Sequence, residues 1–149
     1  YTHGKLTKSV RKQSLAGCAY RICPFLTWRL TLVGADLKNV FHIDHIYPKS
    51  QFTEKRLKKK GVSDDAIEFY LDNVNYIGNL QLLDGTQNKE KNDSDFDAWL
   101  AENYKDTSKL KDYKEKNYIP NVSIAFTNFE EFFEEREKLL IDKLKKELM

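Results

Sequence analysis

Three side chains that can bind a metal ion or move a proton lie within four residues of the chain: His42, Asp44 and His45. The residues around them alternate apolar and polar from Phe41, and Pro48 ends the pattern, so the segment is predicted to be a short strand. Side chains alternate sides along a strand, which places His42 and Asp44 on one face and His45 on the other. A carboxylate can therefore hold a hard metal ion while an imidazole acts as a base from another direction.

A neighbouring Asp and His more often form a surface hydrogen bond than an active site, so the downstream sequence decides between these interpretations. A second strand is predicted over residues 78–83, opening with Asn79 and closing at a turn signal. Asn88 and Lys91 follow in a polar segment. Hydrolysis of a phosphodiester needs a base that activates water and groups that stabilise charge on the phosphate, and the chain offers candidates for both.

In this order and spacing the residues resemble the HNH, or ββα-metal, nucleases, whose pattern has three parts. The parts are Asp-His-Ile-x-Pro at Asp44–Pro48, an Asn opening a second strand at Asn79, and Asn-x-x-Lys at Asn88–Lys91. With His42–Ser50, residues 78–83 and Phe96–Leu100 included, the resemblance narrows to the C-terminal nuclease domain of GmrSD-type restriction enzymes. Arg136, in an aromatic-rich terminal helix, also fits that domain.

The resemblance implies a single divalent metal ion bound by Asp44 and Asn88. His42 is a further candidate ligand or an outer group, since many members of the family have an acidic residue at that position. One carboxylate and one amide oxygen leave coordination positions open for phosphate oxygens and water. This donor set favours Mg²⁺ or Mn²⁺ over a tightly caged zinc ion.

The resemblance also implies the roles of three other residues. His45 is the general base, Asn79 braces the loop ahead of the base through hydrogen bonds, and Lys91 contacts phosphate. The implied function is that of an HNH-type endonuclease that hydrolyses DNA phosphodiester bonds, as the effector of a restriction or anti-phage defence protein.

Two other functions are compatible with parts of the pattern. A catalytically inactive nucleic-acid-binding module of the same fold would keep a basic surface, but it would have no reason to retain Asp44, His45 and Asn88 together. A dinuclear hydrolase of the metallo-β-lactamase type shares the His-x-Asp-His motif. That class needs further histidines, and only His3 remains in this chain.

The elements that must position these residues predict an α+β fold, in which a small antiparallel β-hairpin plus a helix is embedded in surrounding helices. Short helices are predicted over residues 51–60 and 63–73. A capping box at Ser94 and Asp97 predicts the start of a further helix, and residues 105–117 fit a loop or a solvated helix.

The two ends of the chain differ in how clearly they are patterned. Residues 1–17 are predicted to be a lead-in or the end of a preceding domain, and residues 18–149 to be the nuclease domain. Residues 26–32 fit either a strand or a helix. An amphipathic helix is predicted over residues 126–149, opened by a capping box at Thr127 and Glu130.

Aromatic residues have two interpretations in a protein that binds nucleic acid. Trp28 and Trp99 are predicted to be core residues rather than platforms on which bases stack. The stripe of Phe129, Phe132 and Phe133 fits equally a core face and a docking face for other domains.

Charge is distributed unevenly, although the net charge is only +2. Residues 1–60 hold 13 Lys and Arg against 3 acidic residues, which gives +10, and residues 61–149 hold 12 against 20, which gives −8. A basic half indicates an anionic partner, here DNA, or a merely solvated surface. The predicted phosphate-backbone contacts are Lys49, Lys55, Arg56, Lys58, Lys59 and Lys60.

No apolar run approaches the roughly 20 residues of a membrane span, and no secretory signal is present. Cys18 and Cys23 are therefore expected to be free thiols in the cytoplasm, and they are too few for a structural zinc site. Because the chain opens on Tyr1, we expect a longer protein with an N-terminal sensor or NTP-using domain.

Overall fold

Two strands, β1 (Phe41–His45) and β2 (Leu80–Asp84), pair as an antiparallel hairpin in the computed structural model, which describes residues 41–84, 86–87 and 91–148. Within these residues five helices accompany the hairpin, and the fold is α+β as predicted. The helices are α1 (Glu54–Lys59), α2 (Asp64–Asn73), α3 (Phe96–Asn103), α4 (Thr107–Lys116) and α5 (Phe129–Leu148), with short 3₁₀ turns at Lys49–Gln51, Ile77–Asn79 and Phe126–Asn128.

Local sequence explains where several helices begin. Thr53 caps α1 by accepting a hydrogen bond from the backbone amide of Arg56. Asp106 caps α4 by accepting from the amides of Ser108 and Lys109. These side chains satisfy amides that have no partner within the helix.

The two predicted capping boxes are wrong. Helix α3 begins after Asp95 rather than Ser94, and the carboxylate of Asp95 is bonded elsewhere. Helix α5 begins at Phe129, beyond Thr127, and the Phe129 amide donates to the hydroxyl of Tyr70 at 3.2 Å. The start of α5 is thus stabilised by a residue of α2, which local sequence patterns do not reveal.

The predicted helices between the two strands are present, and the segment 105–117 contains α4. Tyr113 is the one buried residue of α4, and Leu110 and Lys114 are partly buried, which explains why its sequence lacked a clear helical period.

Aromatic side chains dominate the core, with Tyr47 in contact with four other rings. The centroid separations are 5.1 to 5.9 Å, to Phe96, Phe126, Phe129 and Phe132. Edge-to-face pairs of this kind stabilise a fold by about 0.5–1.5 kcal/mol each. The segment that follows β1 is therefore anchored to helices far along the chain.

The aromatic stripe of α5 is core. Phe129, Phe132 and Phe133 are at most 3% exposed, so the docking-face interpretation does not hold, and Trp99 is a core residue as predicted. The predictions for residues 1–17 and 26–32, for the two cysteines and for Trp28 lie outside the described residues.

Helix α5 also supports the turn that leads into β2. The ring of Phe133 lies so close to Gly78 that a β-carbon there would come within 2.4 Å of it. Arg136, 2% exposed, donates to the carbonyl oxygens of Ile77 and Asn117. Glycine at position 78 and a buried arginine thus hold the segment that carries Asn79. None of the described helices is long and apolar enough to cross a membrane.

Candidate active site

The register of the hairpin arranges the predicted site residues on its two faces. Asp44 pairs with Gln81, and His45 pairs with Leu80. Cross-strand partners share a face, so Asp44 and Gln81 lie on one side of the hairpin and His45 lies on the other.

The side chain of Asp44 contacts two other described residues, and both contacts are made by the same carboxylate oxygen. Its Oδ2 lies 2.9 Å from Nζ of Lys91 and accepts a hydrogen bond from Nε2 of Gln81 at 3.3 Å. The side chain is 16% exposed. Among the described residues no donor contacts Oδ1, so that oxygen is available to a ligand.

Lys91 is fully buried and contacts both Asp44 and His45. Its ammonium contacts the Asp44 carboxylate and donates to the backbone carbonyl of His45 at 2.5 Å. Burial lowers the pKa of Lys91, and the negative charge of Asp44 opposes that change. The prediction that Lys91 contacts phosphate disagrees with this position, because an ammonium with no exposed surface is not presented to a phosphate.

His45 is oriented by a residue that lies between α2 and β2. Its Nε2 lies 3.0 Å from Oδ1 of Asn75. An amide oxygen only accepts hydrogen bonds, so this contact requires the hydrogen on Nε2 and leaves the lone pair on Nδ1. The imidazole can then take up a proton at Nδ1.

Asn79 is fully buried and ties the end of β1 to the start of β2. Its side chain accepts from the amide of Tyr47 at 2.9 Å and donates to the carbonyls of Tyr47 and Val74 at 3.2 and 2.9 Å. Its own carbonyl accepts from the amide of Ile46 at 2.8 Å. The loop that Asn79 braces is the one that leaves His45, between β1 and Pro48.

For two predicted metal ligands, His42 and Asn88, the structure gives no side-chain contact among the described residues. His42 shares the face of Asp44 by strand alternation and is exposed. Asn88 lies outside the described residues. Within the described part of the chain, no three His, Cys, Asp or Glu side chains are grouped as a metal site.

Lys60, predicted to contact DNA, takes part in a structural network. Its ammonium lies 2.7 Å from the carboxylate of Asp95 and 3.1 Å from the amide oxygen of Gln51. It also lies 4.8 Å from the centre of the Phe126 ring. The network joins the end of α1 to the start of α3, so we assign Lys60 to the fold rather than to DNA.

The rest of the basic run divides into engaged and free side chains. Arg56 donates to the carbonyl oxygen of Ser50, and Lys58 pairs with Glu54 and Asp64 at 2.9 and 3.5 Å. The side chains that are exposed and form no hydrogen bond or ion pair with another described residue are Lys49, Lys55 and Lys59.

Three residues of the site were not predicted: Asn75, Gln81 and Tyr113. Gln81 is 1% exposed, and its amide oxygen accepts from the hydroxyl of Tyr113 at 2.7 Å. A polar residue within the apolar strand of residues 80–83 was a usable signal for Gln81. Asn75 and Tyr113 reach the site only through the tertiary fold.

Comparison with known proteins gives one result that covers most of the chain. No curated protein sequence matches it. The sequence pattern of the family described as GmrSD restriction endonucleases, C-terminal domain, matches residues 11–143, which include the hairpin and all five helices up to residue 143 of α5. The chain therefore belongs to the family of C-terminal domains of GmrSD restriction endonucleases, and it is a nuclease domain of that family.

Proposed function

We propose that this nuclease domain is an HNH-type endonuclease that hydrolyses DNA phosphodiester bonds with one divalent metal ion, Mg²⁺ or Mn²⁺. The observation that carries the proposal is the divergence of Asp44 and His45 at the end of β1. The carboxylate faces Lys91 and Gln81, and the imidazole faces Asn75 on the other side of the hairpin. Asp44 can thus bind the metal ion while His45, the next residue, accepts a proton, and the two side chains do not compete for the same position.

The residues at the site fit a hard ion with few protein ligands. Asp44 offers Oδ1, and we propose Asn88 as the second ligand and His42 as an outer group. A single carboxylate with an amide oxygen resembles the sparse coordination of Mg²⁺, which retains several waters. Such an ion, when bound, supplies Lewis-acid stabilisation of the charge that develops on the phosphate and the leaving oxygen.

His45 is the proposed general base. A water molecule attacks the phosphorus while Nδ1 of His45 accepts its proton, and the bond from phosphorus to the 3′ oxygen breaks. The departing 3′ oxygen takes a proton from solvent, so the products are a 5′ phosphate and a 3′ hydroxyl. Asn75 keeps the ring in the tautomer that this step requires.

Exposed lysines are proposed to hold the DNA backbone. Lys49, Lys55 and Lys59 are exposed and form no hydrogen bond or ion pair with another described residue, whereas Arg56 is bonded to the carbonyl oxygen of Ser50 and Lys58 and Lys60 are paired with carboxylates. Lysine supplies a point charge to phosphate and does not form the bidentate contacts that read a guanine edge. We therefore propose binding with little sequence preference. Choice of target would belong to a sensor or NTP-using part of a cytoplasmic restriction or anti-phage defence protein.

A plasmid assay tests the proposal. The chain is incubated with supercoiled plasmid in Mg²⁺, Mn²⁺ or EDTA, beside His45→Ala. We expect cleavage with either metal, none in EDTA, and a rate lower by about 10²–10⁴ in His45→Ala with DNA affinity unchanged. DNA binding without cleavage in any metal would favour the inactive binding module, and cleavage by His45→Ala within tenfold of the parent would exclude His45 as the base.

A further inference from the structure

A chain of hydrogen bonds connects helix α4 with the carboxylate of Asp44. The hydroxyl of Tyr113 donates to Oε1 of Gln81 at 2.7 Å, and Nε2 of Gln81 donates to Oδ2 of Asp44 at 3.3 Å. Tyr113 and Gln81 are 6% and 1% exposed, so water has little access to compete for either bond. The three residues belong to three separate elements: α4, β2 and β1.

The direction of each bond in this chain is set by the chemistry of the groups. Burial raises the pKa of Tyr113, so its hydroxyl stays protonated and remains a donor. Because the hydroxyl occupies the amide oxygen of Gln81, the amide NH₂ group must face Asp44. If the amide turned over, its oxygen would face the carboxylate, and two acceptors would be opposed.

We propose that Tyr113 and Gln81 are positioning residues that hold Oδ2 of Asp44 and thereby commit Oδ1 to the metal ion. The inference rests on the proposed metal-dependent function and adds the residues that set the ligand geometry. Rotation about the terminal bond of an aspartate exchanges its two oxygens, and that torsion has only broad preferences. A donor fixed on the neighbouring strand restricts the rotation. In other metal sites, residues that hydrogen-bond to a metal ligand orient that ligand in the same way.

Lys91 alone would restrict the rotation less. The ammonium of Lys91 is held by the carbonyl oxygen of His45 and carries three equivalent donors, so it attracts the carboxylate without defining the plane of the carboxylate. The Gln81 amide is planar, and Gln81 is the direct cross-strand partner of Asp44. The direction of the carboxylate is therefore set by Gln81, and the direction of Gln81 is set by Tyr113.

The hydroxyl of Tyr113 can be removed without removing its ring. The ring lies 5.5 Å from that of Trp99 and 4.6 Å from that of Tyr104, and phenylalanine would keep these contacts. Tyr70 provides a matched control, because its hydroxyl is also buried but bonds to the backbone of Phe126 and Phe129. Both substitutions remove one buried hydroxyl. Only Tyr113→Phe interrupts the hydrogen-bond chain from Tyr113 through Gln81 to Asp44, which we call the relay.

The experiment measures binding of Mn²⁺ alone by calorimetric titration, with thermal unfolding of each variant recorded in parallel. Loss of a group behind a metal ligand typically weakens metal affinity by about 10–100-fold, and Tyr113 acts one bond further away. We therefore expect Tyr113→Phe to raise the Kd for Mn²⁺ by roughly three- to tenfold. Tyr70→Phe should lower the melting temperature and leave the Kd unchanged. An unchanged Kd in Tyr113→Phe, or an equal change in both variants, overturns the inference.

A double-mutant cycle tests whether the effect passes through Gln81. Gln81→Met keeps the length of the side chain and removes both hydrogen bonds. It should raise the Kd at least as much as Tyr113→Phe, and adding Tyr113→Phe to it should cause no further change. If the two substitutions instead raise the Kd for Mn²⁺ independently, so that their fold-changes multiply in the double variant, Tyr113 does not act through Gln81 and the inference is wrong.

Asp44→Ala separates failure of the inference from failure of the proposed function. If Asp44→Ala weakens Mn²⁺ binding and Tyr113→Phe does not, the relay is wrong and the metal site stands. If Asp44→Ala binds Mn²⁺ as tightly as the parent, both the metal assignment and the relay are wrong.

Discussion

The ammonium of Lys91 lies 2.9 Å from Oδ2 of Asp44 and also donates to the carbonyl oxygen of His45. One buried cation therefore contacts a carboxylate and a backbone carbonyl of consecutive residues whose side chains point to opposite faces. It ties the turn at Lys91 to the end of β1, so the two segments are held together through a single ammonium group.

Replacement of Lys91 by Met should destabilise the fold, because it leaves the carboxylate of Asp44 without its cation. Removing one partner of a buried ion pair costs about 3–5 kcal/mol, and the partial exposure of Asp44 favours the lower end of that range. Urea unfolding measures the loss. The double variant Lys91→Met with Asp44→Asn should regain part of it. A variant with parental stability and only a raised KM for DNA would instead support a phosphate contact.

Asn75→Ala should lower kcat without affecting stability. Asn75 is exposed, and its contact with Nε2 of His45 acts on the orientation of the ring. We expect a loss of about ten- to a hundredfold in kcat, smaller than the full general-base contribution. The KM for DNA should be unchanged.

Asn75→Asp is the matched control, since it keeps an oxygen acceptor at the same place. It should retain most of the activity that Asn75→Ala loses. Nitrogen NMR of the His45 ring gives an independent readout, because the hydrogen should leave Nε2 for a mixture of tautomers only in the alanine variant. A parental tautomer and kcat in Asn75→Ala would exclude the positioning role.

The hairpin and the order of the site residues could be predicted from the sequence because they depend on local signals. Alternation around Asp44 and a turn after residue 83 define two strands and their faces. The partners of these residues could not be predicted in this way. Asn75 lies 30 residues from His45, and Gln81 lies 32 residues from Tyr113, so only the packing of helices against the hairpin brings them together.

The positions of Lys60 and Lys91 could not be predicted for a second physical reason. Composition marks Lys60 and Lys91 as cations suited to phosphate, but it does not show where their acidic partners lie. Asp95 reaches Lys60 and Asp44 reaches Lys91 only in the folded chain. A basic residue can be assigned to DNA only once the internal ion pairs are known.

Asn79→Ala should lower both stability and rate. The substitution removes three hydrogen bonds of a fully buried side chain and leaves backbone groups of Tyr47 and Val74 unsatisfied. A cost of about 2–4 kcal/mol is expected, since each unsatisfied buried group costs about 1–3 kcal/mol. Asn128→Ala, which removes exposed hydrogen bonds to the carbonyl oxygen of Ser123 and the carboxylate of Glu131, should change stability much less. Equal melting temperatures for the two variants would contradict the bracing role.

Asp95 should contribute stability that disappears in acid. The hydrogen bond from Lys60 lowers the pKa of Asp95 below its ordinary value of 3.8. The contribution is therefore complete above that value and is lost as the pH falls through the lower folded-state pKa. Asp95→Asn should melt below the parent at neutral pH and converge with it in acid. Lys60→Met should behave in the same way, and a difference between parent and variant that is independent of pH would argue against the pair.

Lys55 and Lys59 should contribute, together with Lys49, DNA binding that Arg56, Lys58 and Lys60 do not. The double variant Lys55→Gln with Lys59→Gln removes two exposed charges that have no acidic partner among the described residues. Each neutralised phosphate contributes about −0.9 to the slope of log affinity against log salt for duplex DNA, so the slope should flatten by about 1.8. Lys105→Gln with Lys109→Gln removes the same charge at the same spacing near α4, and its slope should match the parent. Equal flattening in both double variants would mean that net charge, rather than a defined contact surface, governs binding.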